Sequence, residues 1–174
     1  MSFSQLPSTA LSRTIDPLLA AVGRWLSWIW LLLLVVIVGN VLLRYVFGEG
    51  RIELEEIQWH LYSIGFLIGF SYAYQSDSHI RVDVVSERLP LRWRAWLELY
   101  GILLALVPFI VLVLWYSVPF VVASWQLGEV SQAPGGLPYR WAIKAVLPLG
   151  FVLLLLAVIS RFSRVWSLLF RGDT

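Results

Sequence analysis

The sequence predicts an all-α integral membrane protein with four transmembrane helices and short amphipathic segments at the membrane surface. Three observations lead to this fold class. The 174-residue chain is 59% hydrophobic and only 14% charged, whereas soluble domains typically carry about 25% charged residues. Its charges are confined to short segments between long apolar runs. Its ten Trp and seven Tyr suit a chain that crosses membrane–water interfaces, where amphipathic rings collect.

The candidate spans are four stretches that contain no charged residue: 25–43, 57–76, 99–128 and 145–160. A helix needs about 20 residues to cross the hydrocarbon core, and long basic side chains at its ends can reach the interface. With such flanks included, the expected spans are about 25–46, 54–76, 95–127 and 140–164. The third is longer than a membrane requires and contains Pro108 and Pro119, which predicts a kinked or tilted helix.

The distribution of Lys and Arg predicts the orientation, because cytoplasmic segments carry an excess of these residues. Nine of them lie on the side of the two termini and the 77–98 loop: Arg13, Arg24, Arg81, Arg88, Arg92, Arg94, Arg161, Arg164 and Arg171. Four lie on the opposite side: Arg44, Arg51, Arg140 and Lys144. We therefore expect a cytoplasmic or interfacial segment at 1–24, a cytoplasmic tail at 165–174, and outer segments at 44–56 and 127–140.

Two short segments are predicted to lie along the membrane surface. The first follows Pro17, which suits a first helical position, and has apolar residues at helical spacing: Leu18, Leu19, Val22 and Leu26. The second is a short helix over 82–89, with Val82, Val85 and Leu89 on one face. It ends before Pro90, because the residue that precedes a proline is disfavoured in the α region.

Metal and haem chemistry have little support in the sequence. The absence of cysteine excludes disulfides and thiolate sites. His60 and His79 would be about 28 Å apart on one helix, so they cannot be the two axial ligands of one haem within this chain. His79, beside Asp77 and Asp83, could bind a metal ion or make hydrogen bonds that order a turn. The net charge of +2 is too small to indicate nucleic acid.

Polar residues at the end of the first span and the start of the second form a candidate constellation. A helical hairpin would bring Arg44 close to Glu55 or Glu56, either as a clamp on the hairpin or as part of a proton or ion path. All eleven acidic residues lie outside the four charge-free runs, which argues against a chain that transports alone. Asn40, inside the first span, could bond to a neighbouring helix or subunit or contact a ligand.

The segment 128–148, "GEVSQAPGGLPYRWAIKAVLP", is predicted to be a shaped outer loop. Gly135, Gly136 and the flanking prolines exclude a regular helix. Pro138 and the residues that follow it mark the return to the membrane. The glycine spacing matches neither nucleotide-binding pattern, so this is not a phosphate-binding loop. We expect a shaped outer loop of this kind to contact a partner.

Three blocks of the sequence together resemble a known family. They are "GNVLLRYVF" at the end of the first span, "HIRVDVVSERLP" after the second, and "GEVSQAPGGLPYRWAIKAVLPLGF" leading into the fourth. In this order across four spans, they resemble the DctQ-like small membrane subunit of TRAP transporters, the tripartite ATP-independent periplasmic transporters. The resemblance covers roughly residues 25–165, and the last block is similar to the branch labelled mannitol/chloroaromatic.

The resemblance implies a non-enzymatic subunit, without a cofactor of its own, in the bacterial inner membrane. Such a subunit braces a large elevator-type subunit, which uses a sodium gradient to take up a small organic acid, and it helps to dock a periplasmic binding protein. The matching positions are Asn40, Arg44, Glu55, Glu56, His79, Arg81, Asp83, Ser131, Gly136 and Pro138.

The resemblance also implies roles for these positions. Arg44 with Glu55 or Glu56 would hold the outer hairpin. The cytoplasmic turn would be ordered by His79, Arg81 and Asp83. The stretch from Glu129 to Tyr139 would face the binding protein or the large subunit.

Three other functions remain open at this stage. A membrane anchor that binds haem or quinone in a respiratory complex would contain a pigment. A stand-alone four-helix exporter would need a coupling carboxylate inside a span. A structural assembly protein of another membrane complex would share all the features described so far.

Overall fold

The computed structural model describes residues 6–78 and 89–170, and these residues form helices and turns without a β-strand. The all-α prediction is therefore confirmed for this part of the chain. The helices are α1 (Ala10–Leu26), α2 (Trp28–Val46), α3 (Ile52–Gln75), α4 (Leu91–Gly101), a π-helical segment (Ile102–Leu106), α5 (Val107–Gln126) and α6 (Arg140–Phe170). The short helix predicted over 82–89 falls almost wholly outside the described residues.

Helix α1 begins earlier than predicted. Thr9 and Ser12 form a capping box: the Ser12 amide donates to Thr9 Oγ1 at 3.2 Å, and the Thr9 amide donates to Ser12 Oγ at 2.9 Å. Two backbone donors at the helix start are satisfied in this way. The prediction that Pro17 occupies the first helical position is therefore wrong, because it lies inside α1. The helix is amphipathic, with Leu19 buried and Leu18 exposed.

Helix α1 crosses α6 at a steep angle. Thr9 Oγ1 lies 2.7 Å from Ser163 Oγ, and Ser160 Oγ donates to Asp16 Oδ1 at 2.5 Å. From Thr9 to Asp16 the axis of α1 advances by about 10 Å, yet the contacted residues on α6 are only one turn apart. The first half of α1 therefore lies across one end of α6 instead of running along it.

Helices α2 and α3 form an antiparallel hairpin. At one end, Gly65 of α3 lies against Ile29 and Trp30 of α2, where an added Cβ would be 2.9 Å from the Trp30 ring. At the other end, Arg44 of α2 pairs with Glu55 of α3. Apart from one buried residue, Asn40, α2 is exposed over much of its length.

The predicted third span is one long helical stretch, in which the π-helical segment separates α4 from α5. The Val107 amide donates to the carbonyl of Ile102, five residues earlier, in the π pattern. Pro108, which follows at once, has no N–H to donate to the carbonyl of Leu104. The widened turn therefore falls where the α-helical hydrogen-bond pattern cannot continue, whereas Pro119 lies within the regular helix α5.

Helix α6 is the centre of the bundle and contacts α1, α3, α4 and α5. It continues to Phe170, so the segment predicted as a tail from residue 165 begins inside a helix. One buried cluster joins α6 to α5 and the π-helical segment: Ile102, Ile110, Phe151, Leu154 and Val158. A second joins it to α4 and the N-terminal residues: Leu6, Ala95, Leu99 and Val165.

Three helical stretches of the described residues are long and apolar enough to cross a membrane: Ala10–Val46, Leu91–Gln126 and Arg140–Phe170. The predicted second span forms a helix of the required length, α3, but is not among the three. It begins with Glu53, Glu55 and Glu56 and continues with Gln58 and His60, which lower its mean hydropathy. The count of four spans therefore stays a prediction, as does the cytoplasmic position of the termini.

A close approach between the backbones of α3 and α6 leads to a testable expectation. A Cβ added at Gly150 of α6 would lie 2.8 Å from the carbonyl oxygen of Leu67 in α3. We expect Gly150→Ala to lower the free energy of unfolding by about 1–3 kcal/mol, because the two backbones must separate. The measurement is the unfolding transition in detergent. Gly69→Ala is the matched control, since nothing lies within 4 Å of its added Cβ; equal losses would contradict the expectation.

Candidate functional site: polar clamps at the two ends of the bundle

Charged and polar contacts concentrate at opposite ends of the helices. We call the end that carries the 127–139 segment the loop end. The other is the terminal end, where residues 6–16 meet the last turns of α6. Nine of the twelve residues singled out in the sequence lie at or near the loop end, and the other three, His79, Arg81 and Asp83, lie outside the described residues. The contacts at the terminal end are made by two arginines that served only to predict the orientation and by three acidic residues that were not predicted site residues: Arg161, Arg164, Asp16, Asp77 and Glu98.

At the loop end, Glu56 of α3 fixes the shape of the loop. Its carboxylate accepts a hydrogen bond from the Ser131 hydroxyl and another, at 2.6 Å, from the Leu137 amide. Ser131 and Leu137 are also joined by a backbone hydrogen bond of 3.1 Å. We call Glu56, Ser131 and Leu137 the loop latch. Glu56 is only 6% exposed, so its charge is balanced by these donors rather than by bulk water.

Gly136 makes this arrangement sterically possible. A Cβ at this position would lie 2.4 Å from Ser131 Cβ and 2.9 Å from Glu56 Oε1, well inside normal contact distances. The preceding residue, Gly135, has a φ of +80°, a conformation that side chains with a Cβ rarely adopt. The two glycines are therefore explained by the turn at Gly135 and by the close approach of Gly136 to Ser131 and Glu56. A phosphate-binding role is not needed to account for them.

Glu129 ties the start of the same loop to α6. Its carboxylate pairs with the Lys144 ammonium and lies 3.9 Å from Arg140 Nε. The hydrogen bond from Lys144 holds the pKa of Glu129 below its usual range. The carboxylate therefore stays ionised at a lower pH than a free glutamate, and the pairing weakens only as the pH falls through that lowered pKa.

The last two predicted loop residues mark the return to helix α6. The backbone turns at Tyr139, which has a φ of +62°, and its carbonyl accepts from the Ala142 amide at 2.9 Å. Pro138, directly before it, lies outside any helix. The Tyr139 side chain is 68% exposed and is therefore free to meet a partner. Nearby, the guanidinium of Arg140 lies 5.7 Å from the centre of the Trp59 ring.

The structure resolves which glutamate meets Arg44. Arg44 pairs with Glu55, about half exposed like its partner, whereas Glu56 faces the loop latch. Asn40 is buried, and its Oδ1 has no hydrogen-bond partner within the described residues. The predicted bond from this amide to a neighbouring helix is therefore not seen within the described part of the chain.

At the terminal end, Arg161 of α6 is completely buried. Its Nε donates to the carboxylate of Glu98 in α4, and its Nη1 lies 3.5 Å from Asp77 Oδ1 after α3. One guanidinium therefore joins α6 to α4 and to the turn that follows α3. We call Arg161, Glu98 and Asp77 the buried triad.

A second arginine at this end holds the N-terminal residues. Arg164 lies 3.4 Å from Asp16 Oδ2, and it donates to the backbone carbonyls of Leu6 and Pro7 at 3.1 and 3.2 Å. These contacts fasten the start of the chain and α1 to α6.

Sequence reasoning missed the buried triad and the role of Arg164. A signal was available, because Asp16, Asp77, Glu98 and both arginines fall at the ends of runs that the predicted topology places on one side. The remaining predicted residues of this side, His79, Arg81 and Asp83, lie outside the described residues. His60 lies in α3, where its Nδ1 is within hydrogen-bonding distance of the Glu56 carbonyl.

These features define a class: a multi-helix membrane protein whose polar groups clamp its own helices. Within residues 6–78 and 89–170 there is no group of three His, Cys, Asp or Glu side chains that could hold a metal ion. Many charged residues of the two ends are instead paired with one another, while large apolar side chains of α2 and α5 are exposed.

Comparison with known proteins gives the family. The family model for the DctQ component of tripartite ATP-independent periplasmic transporters matches residues 33–168. The chain is also 25% identical over 142 residues to a TRAP transporter small permease protein of Haemophilus influenzae, across 82% of this chain and 85% of that protein. The chain belongs to the DctQ family of small TRAP permease subunits. It is therefore a transporter subunit and not an enzyme, and its family implies a large membrane subunit and a binding protein as partners.

Proposed function

We propose that this subunit is a brace: it forms a stiff scaffold beside the large subunit during sodium-driven uptake of a small organic acid. The observation that carries the proposal is the division of its surface. Charged residues clamp α1, α3, α4, α6 and the loop within the chain at both ends. The apolar faces of α2 and α5 remain exposed, as expected of surfaces that meet lipid and a partner helix.

The proposal includes a topology in the bacterial inner membrane. Four spans, formed by α2, α3, α4–α5 and α6, would place both termini in the cytoplasm. The excess of Lys and Arg on the terminal side supports this orientation. Helix α1, amphipathic and lying steeply across α6, fits a helix at the cytoplasmic surface.

The loop end would then face the periplasm and help to dock the binding protein. The loop latch and Glu129 give this segment a fixed shape, and a preformed surface binds with a smaller entropy cost. Exposed side chains such as Val130 and Tyr139 are available for contact.

The large subunit would hold the substrate and use the sodium gradient, so this chain would need no cofactor. The eleven acidic residues lie outside the charge-free runs, which supports that division of work. The block at 128–151 supports a place in the mannitol/chloroaromatic-type branch.

Co-expression of this chain with its large subunit tests the proposal. We expect the two to purify as a stable complex, and we expect substrate uptake into proteoliposomes only when both chains and the binding protein are present. If the large subunit and the binding protein took up substrate at the full rate without this chain, the brace proposal would be overturned. Uptake by this chain alone would also overturn it.

A further inference from the structure

A groove at the terminal end has no role in the clamps. It has a volume of about 570 Å³ and lies between the first turns of α4 and the end of α6. Its lining consists of one cation and four large apolar or amphipathic side chains: Arg92, Trp93, Trp96, Tyr100 and Leu169. Such a volume is in the range of small-molecule sites.

Arg92 is the cation of this groove, and it is available to a ligand. It is exposed, and within the described residues it makes no hydrogen bond or ion pair. Two residues further on, Arg94 behaves differently, since its Nε donates to the Leu89 carbonyl at 2.9 Å. Arg164 and Arg161 are likewise engaged with carboxylates. Arg92 therefore differs from Arg94, Arg161 and Arg164, whose guanidinium groups contact other residues of the chain.

The aromatic residues of the groove are ordered along the helix. Arg92, Trp96 and Tyr100 follow one another at intervals of four residues, so they form one stripe on α4, and Tyr100 lies about 12 Å along the axis from Arg92. Trp96 stacks on Tyr100 with ring centres 5.7 Å apart and meets Phe170 edge-on at 5.6 Å. The stripe therefore passes from a cation to amphipathic rings and then to the apolar part of the helix.

This order matches the order of groups in a phospholipid. Helix α4 forms the start of the apolar stretch Leu91–Gln126, so we expect its first turn where a span enters the membrane. Trp and Tyr occupy the headgroup level of bilayers, and basic pockets between helices at that level bind anionic lipid headgroups. A second protein would leave Arg92 without an obvious anion, whereas the surrounding bilayer supplies one.

We propose that this groove binds one anionic phospholipid, with its phosphate at Arg92, its ester region beside Trp96 and Tyr100, and its acyl chains along α4 and Leu169. The inference concerns the chain's own contact with lipid, and it does not rest on the proposed function. The guanidinium selects the charge of the headgroup, and the rings contact the ester region that all such phospholipids share.

Native mass spectrometry of the full-length chain in detergent tests the site. The probes are phosphatidylglycerol and phosphatidylcholine with identical acyl chains, and glycerol phosphate without acyl chains. We expect phosphatidylglycerol to bind more tightly than phosphatidylcholine. Arg92→Gln is expected to weaken phosphatidylglycerol binding by about fivefold, which corresponds to about 1 kcal/mol for one basic residue. It should weaken phosphatidylcholine binding less, because the choline ammonium offsets the charge of the phosphate.

Three further variants make the test specific. Arg92→Lys keeps a cation and should retain the preference for phosphatidylglycerol. Trp96→Leu should weaken both lipids, because the rings contact the part that they share. Arg24→Gln is the matched control, since Arg24 is also exposed and followed by a tryptophan, Trp25, but does not line the groove.

Any of four results would overturn the proposal. They are equal binding of the two lipids by the unchanged chain, no effect of Arg92→Gln, an equal loss in Arg24→Gln, or binding of glycerol phosphate as tight as that of phosphatidylglycerol. The last result would identify a free phosphate site instead of a lipid site.

Discussion

Replacement of Arg161 by methionine is expected to lower the free energy of unfolding by about 3–5 kcal/mol. The guanidinium is fully buried and holds the carboxylates of Glu98 and Asp77. Without it, two carboxylates that are each less than a fifth exposed would lose the cation that joins them. The measurement is the unfolding transition of the purified chain in detergent.

Two controls separate this effect from a general cost of removing an arginine. Arg51→Met breaks an ion pair with Glu49 in which both side chains are more than half exposed, and we expect a loss of at most about 1 kcal/mol. The triple variant Arg161→Met, Asp77→Asn, Glu98→Gln removes all three charges and should recover much of the stability. A single variant as stable as Arg51→Met would contradict a structural role for the buried triad.

Replacement of Glu56 by alanine is expected to release the outer part of the 127–139 segment. The Leu137 amide and the Ser131 hydroxyl would lose their acceptor, at a cost of about 1–3 kcal/mol for a buried unpaired group. Hydrogen exchange of the amides from 131 to 137 should accelerate, while exchange in α5 and α6 should stay unchanged. If the brace proposal holds, coupling to the binding protein should weaken in the same variant.

The neighbouring glutamate provides a matched control. Glu55→Ala removes a carboxylate one residue away, but its pair with Arg44 is about half exposed, so we expect a loss of at most about 1 kcal/mol and no change in loop exchange. Gly136→Ala should open the loop by a different route, because the added Cβ collides with Ser131. Similar loop exchange in Glu55→Ala and Glu56→Ala would rule out the latch.

The positions of the helices followed closely from the sequence. The predicted spans at about 54–76 and 140–164 correspond to α3 and to most of α6. Apolar runs and the charges that bound them are local properties, so they can be read residue by residue. The start of α1 was misplaced because Thr9 and Ser12, which form the cap, belong to a polar stretch with little hydrophobic signal.

The partners of the charged residues did not follow from the sequence. Glu55 and Glu56 were equivalent candidates for Arg44, but consecutive residues of a helix point about 100° apart. The rotation of α3 therefore sends Glu55 to Arg44 and Glu56 to the loop. The local sequence does not predict that rotation, because it depends on how α3 packs against α2 and α6.

By itself, the sequence determined that this chain is helical, membrane-embedded and a relative of small TRAP permease subunits. Hydrophobicity, charge placement and motif order are sufficient for those conclusions. Only the tertiary structure decided that Arg161 is buried, that it joins Glu98 to Asp77, and that Glu56 latches the loop. The physical reason is that an ion pair between distant segments is fixed by helix crossing and rotation, which arise from packing of the whole bundle.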